Sequence, residues 1–87
     1  MICVISIKDQ DDQILVFSGL VLNSKQKVEA SFRKLTKSDI GFSVEVVLFS
    51  NEEMAENTIN LLNNIELKNF QIQQNNYIIT PIEQLLD

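Results

Sequence analysis

Histidine is absent from this chain, and that absence decides most of the chemistry its other side chains can do. Imidazole alone titrates near neutrality without help from its surroundings. Ser–His and Cys–His nucleophilic pairs are therefore excluded, as are metal sites that include histidine. What remains for catalysis is carboxylates, lysines, Tyr77 and one thiol, Cys3. Cys3 stands between Ile2 and Val4 in an apolar run, whereas a reactive thiol needs exposed, electropositive surroundings. A buried, inert thiol is expected. The cluster Asp9-x-Asp11-Asp12 offers the oxygen ligands that Ca²⁺ or Mg²⁺ takes. Read as an EF-hand loop, it puts Ile14 where a glycine is needed and Leu20 where the bidentate glutamate belongs, so a solvated hairpin turn is expected instead. Asn23-Ser24-Lys25-x-Lys27 has the composition of an anion site at a helix N-terminus. No phosphate-loop or dinucleotide glycine motif accompanies it, and ordinary helix capping accounts for these residue types. No catalytic residue, cofactor site or metal site is assigned, and no enzymatic activity is expected.

Charge carries the next constraint. Twelve carboxylates against seven basic groups give a net charge of −5, which argues against a general nucleic-acid binder, because such affinity comes from neutralising phosphates. The basic residues are clustered, however: Lys25, Lys27, Arg33, Lys34 and Lys37 are five of the seven. With a single cysteine no internal disulfide framework forms. No signal peptide is evident, and no run approaches the roughly eighteen apolar residues that cross a bilayer. A cytoplasmic protein without membrane contact is expected.

These residues must be positioned by an ordered fold. Ile, Leu, Val and Phe make up 33 of the 87 residues, well above the level of disordered chains. With no internal repeat or linker, residues 1–87 are read as a single α+β domain. Residues 2–8 and 14–22 are predicted strands joined by the polar turn Asp9–Gln13, with Gly19 marking a bulge or a close backbone approach. Asn23 or Ser24 is predicted to cap a helix running to about Lys37. Val28, Phe32 and Leu35 at i, i+4 and i+7 supply its inner face, and Lys27, Arg33, Lys34 and Lys37 its outer one. Phe42–Phe49 is a predicted third strand. Ser50 with Glu53 reads as a capping box opening a second helix, about 51–64, whose inner face holds Met54, Ala55, Thr58, Leu61 and Leu62. A strand within 65–74, clearest at Phe70–Gln74, an Asn75-Asn76 turn and a short strand at Tyr77–Thr80 follow. Thr80-Pro81-Ile82-Glu83 is read as a capping box for a short terminal helix.

The expected order is ββαβαββ with that terminal helix: a mixed four- to five-stranded sheet packed by two amphipathic helices. From residue 14 onward the order is similar to the βαβαββα order of the thioredoxin-like fold, the alternative α/β arrangement. No Cys-x-x-C stands at the first helix and no proline precedes the fourth strand.

Two surfaces become candidates for partner binding. One is the basic helix face of Lys27, Arg33, Lys34 and Lys37, which would dock nucleic acid or an acidic protein; no aromatic is interleaved to stack bases. The other comes from the two-sided apolar strands, which need cover on both faces. Two helices on one face would leave Phe17, Val21, Val47 and Phe49 partly exposed; helices on opposite faces would leave no patch. The leading expectation is a non-catalytic protein-binding module of inhibitor, immunity, antitoxin or adaptor type. Its partner is a protein of unknown identity, and a homodimer is one expected form, since a domain this small gains burial by self-association. The alternative is a nucleic-acid-associated regulator using helix 24–37.

Overall fold

The computed structural model describes residues 2–34, 46–67 and 76–85. In chain order the elements are β1 (Cys3–Lys8), β2 (Ile14–Leu22), β3 (Val28–Lys34), α1 (Glu52–Leu62), β4 (Glu66–Leu67), β5 (Ile78–Pro81) and one 3-10 turn, Ile82–Leu85. The class is α+β: one mixed sheet in the order β4-β3-β2-β1-β5, and one α-helix among the described residues. Among the described strands the β3–β4 pairing is parallel and the others are antiparallel.

The turns that join the first three strands share one design. In the first, Asp9 Oδ1 accepts the N–H groups of Asp11 and Gln13, both at 2.9 Å. Its backbone closes through Asp9 N–H to Gln13 O and Asp12 N–H to Asp9 O, with Asp12 in the left-handed region at φ 61°. In the second, Asn23 Oδ1 accepts from Lys25 (2.8 Å) and Lys27 (3.0 Å). Asn23 N–H bonds Lys27 O, Gln26 N–H bonds Asn23 O, and Gln26 has φ 63°. Short Asx side chains replace a backbone acceptor in such turns as readily as they cap helices.

That equivalence overturns the predicted helix at 24–37. Asn23 caps a hairpin, and residues 28–34 form β3, antiparallel to β2. The sequence Val28-Glu29-Ala30-Ser31-Phe32-Arg33 alternates apolar and polar as a half-buried strand does. Ala30 is buried and Phe32 packs against the core. With a strand in place of the first helix, the thioredoxin-like order does not hold. Phe17 faces Phe32 and Gly19 faces Ser31, so Ser18 is the extra residue of the expected bulge. Its hydroxyl donates to the Ser31 carbonyl at 3.0 Å, and Gly19 takes φ 123°, a conformation that side-chain-bearing residues rarely adopt.

The β1–β2 ladder is short, running from Ser6↔Val16 to Lys8↔Ile14. Beyond it, residues 47–49 bridge the two strands. Val47 N–H donates to Phe17 O, and Phe49 exchanges both backbone bonds with Cys3, at 2.9 and 2.8 Å. Of the predicted strand Phe42–Phe49, residues 42–45 lie outside the described residues, and 46–49 contribute that single bridge. Glu66–Leu67 form the two-residue strand β4; residues 70–74, where the predicted strand is clearest, lie outside the described residues. On the other side of β1, β5 is a sheet edge among the described residues, and Pro81, which has no N–H to donate, stands at its last position, as strand prolines do at edges. Pro81 closes this strand, and the expected short terminal helix is the 3-10 turn Ile82–Leu85 that follows it directly.

Helix α1 begins one residue later than the expected cap: Asn51, not Ser50, accepts the Met54 N–H at 2.9 Å. It packs against β1 and β5 through Ala55, Leu62 and Ile59. Met54 and Leu61, expected inside, are exposed. The face beneath the helix carries Cys3, Ile5 and Ile7 of β1 with Leu15 and Phe17 of β2. The opposite face carries Val4, Ser6 and Val16, which are buried as well. Ser6 remains satisfied there, with Thr80 Oγ1 at 3.0 Å and Ile78 O at 3.3 Å.

The sheet is curled. Phe32 on β3 stacks on Tyr77 beside β5 at 6.0 Å between ring centroids, although those strands stand three places apart in the sheet. Flat, they would lie about 14 Å apart. Curling gathers Phe17, Phe32 and Tyr77 into one aromatic row, with Phe17 and Phe32 5.5 Å apart.

Candidate interaction surface

The expected surface around Phe17, Val47 and Phe49 is interior. Phe17 is 4% and Phe49 7% exposed, and Val47 is half-buried against the same cluster. The physical reason is the bridge formed by residues 47–49, which carries these side chains onto the helix-covered side of the sheet. The expected basic face is dispersed. Lys27 lies in the β2–β3 turn, whereas Arg33 and Lys34 lie at the far end of β3, about 20 Å away at 3.3 Å per residue. Arg33 and Lys34 also point to opposite sides of the sheet, as neighbours in a strand must. Lys37 lies outside the described residues.

The remaining chemical candidates resolve locally. Cys3 is buried, with its Sγ 3.9 Å from the Phe49 carbonyl oxygen. Burial pushes its thiol pKa up, and the Glu52 carboxylate adds to the shift. That is the opposite of what nucleophilic activation requires. The acidic turn spends the Asp9 carboxylate on two of its own N–H groups, and no trio of metal-ligating residues converges among the described residues. An open cleft of about 590 Å³ lies beside this turn, lined by Lys8, Asp9, Gln10, Asp12, Asn76, Tyr77 and Ile78. Among the described residues the Tyr77 hydroxyl has no hydrogen-bond partner, although it is shielded from solvent, and burial raises its pKa.

The sheet does present one uncovered apolar surface, on the arm formed by the distal halves of β2 and β3. Leu22 stands opposite Val28, and Leu20 opposite Ala30, so Leu20, Leu22 and Val28 share a face. They are 54%, 64% and 45% exposed, although Ala30, next along β3, is buried. The arm therefore carries the apolar face of the core past the point where the core covers it. Its closing turn bears Lys25 and Lys27, and no carboxylate occurs from Gln13 to Val28. Sequence reasoning missed the arm. The available signals were the alternation in 28–33 and that carboxylate-free stretch.

Comparison with known protein families, with curated proteins and with solved structures finds no significant match. No helix among the described residues is long and apolar enough to cross a membrane.

Proposed function

We propose that this protein is a non-catalytic protein-binding module whose docking element is the β2–β3 arm. The observation that carries the reading is the alignment of Leu20, Leu22 and Val28 on one face, each close to half exposed or more. Apolar side chains grouped on an ordered element and flanked by polar groups mark interaction sites more often than isolated surface leucines do. Lys25 and Lys27 at the tip supply a cationic rim, so a fitting partner offers apolar side chains beside carboxylates. The inhibitor, immunity, antitoxin and adaptor types all use such surfaces. A nucleic-acid role has no comparable support once Lys27, Arg33 and Lys34 no longer share a helix face.

Photo-crosslinking from a probe placed at Ser24, in the cells that make the protein, tests the reading. A protein adduct that disappears in Leu22→Asp is the expected result. No adduct, or an adduct indifferent to Leu22→Asp, would refute it.

A further inference from the structure

We infer that the occupant of the arm is a second copy of this chain, seated with its α1 helix against the arm. The inference rests on reading the arm as a protein-docking element, and three observations carry it further. The first is charge. The arm, residues 19–31, carries Lys25 and Lys27 against Glu29, a net +1, so with a total of −5 the rest of the chain carries −6. The cationic arm thus has its electrostatic complement on its own chain.

The second is the composition of α1. Glu52, Glu53 and Glu56 lie on it with no basic residue, and Met54 and Leu61 are 50% and 65% exposed. Seven residues bring a helix back to within about 20° of the same direction, so Met54 and Leu61 form an apolar pair on one flank; Glu53 is the carboxylate nearest to them, and Glu52 and Glu56 lie on the other flank. This is the chemical counterpart of leucines beside lysines.

The third is that the match is unused within one molecule. The helix packs on β1 and β5, while the arm residues and the Met54–Leu61 flank are all exposed. Each copy offers one arm and one helix flank, so a twofold pairing makes two identical arm–helix contacts and closes on itself. A stable interface needs about 800 Å² per partner, roughly an eighth of the 6088 Å² surface.

Charge exchange tests this. Sedimentation equilibrium is run on the full chain, on Lys25→Glu/Lys27→Glu, on Glu53→Lys, and on the equimolar mixture of the two variants, with circular dichroism confirming that each is folded. The wild type is expected to dimerise, more weakly in high salt. Each variant alone, with like charges facing across both contacts, is expected to lose affinity on the order of a hundredfold. The mixture is expected to regain it, because both contacts again join opposite charges. A monomeric wild type, variants that dimerise like the wild type, or a mixture that stays monomeric would each overturn the inference. The Ser24 crosslink separates the two levels. An adduct of twice the chain mass supports a second copy, and an adduct to a different protein leaves the docking reading standing while removing this one.

Discussion

Replacing Tyr77 with phenylalanine isolates one buried polar group whose cost follows from its surroundings. The Tyr77 hydroxyl is shielded from solvent and has no hydrogen-bond partner among the described residues, while its ring stacks on Phe32. Phenylalanine keeps the stack and removes the unpaired hydroxyl. An unsatisfied buried donor costs about 1–3 kcal/mol. Because the residue as a whole is half-buried, the low end applies, and Tyr77→Phe is expected to stabilise the protein by about 1 kcal/mol. For a domain of this size that is a rise in Tm of about 4–8 °C. The chain has no tryptophan and Tyr77 is its only tyrosine, so unfolding is followed by far-ultraviolet circular dichroism in both proteins. The same uniqueness lets phenolate absorbance report this one group. Burial raises its pKa in the folded state, so above the ordinary value of about 10 the unfolded chain has lost a proton that the folded chain still holds. Unfolding then releases a proton. This contribution is complete below pH 10 and is lost as pH rises through the folded-state value. The variant should therefore keep its advantage at neutral pH and widen it in alkali. Destabilisation by Tyr77→Phe, or a phenol that titrates at or below pH 10 in the native protein, would refute the reasoning.

The shared turn design predicts that Asn23→Ala, which strands two N–H groups, costs about 1 kcal/mol. Asn23→Asp, which keeps Oδ1, should cost far less; equal losses in urea titrations would show that the side-chain acceptor is unimportant. Gly19→Ala should cost about 1–2 kcal/mol from backbone conformation alone, since an added Cβ would meet no atom within 4 Å; an unchanged urea midpoint would contradict this. Cys3 should resist thiol reagents in the native protein and react at the rate of unfolding. Its raised pKa removes stability as pH climbs past the ordinary thiol value of about 8.5, and Cys3→Ala should flatten that part of the stability–pH curve. Rapid labelling of folded protein at neutral pH would contradict the burial of the thiol.

Much of the architecture was legible because its cause is local. The two opening strands, their acidic turn, the bulge at Gly19, the helix after residue 50 and the strand before Pro81 each follow from side-chain branching, turn chemistry or capping within a few residues. Their observed bounds differ from the expected ones by a residue or two. The segment after Asn23 shows the limit of such reasoning. An asparagine that caps free N–H groups is equally at home at a helix start and in a hairpin, and Val28, Phe32 and Leu35 satisfy a helical spacing. The same stretch satisfies a strand's alternation. What tips the balance is pairing with β2, a neighbour whose availability no local pattern reports.

The candidate surfaces divide along the same line. Composition by itself established an acidic chain without histidine, a thiol in apolar surroundings and a carboxylate-free stretch bearing Lys25 and Lys27. Which side chains meet water was decided in three dimensions. The bridge at residues 47–49 took Phe17 and Phe49 inside, and the packing of α1 on Ala55 and Leu62 turned Met54 and Leu61 outward. The length of the β2–β3 arm left Leu20, Leu22 and Val28 beyond the reach of the core. Local sequence sets what a strand or helix can present. Long-range pairing sets which face is covered, because coverage depends on residues far away along the chain.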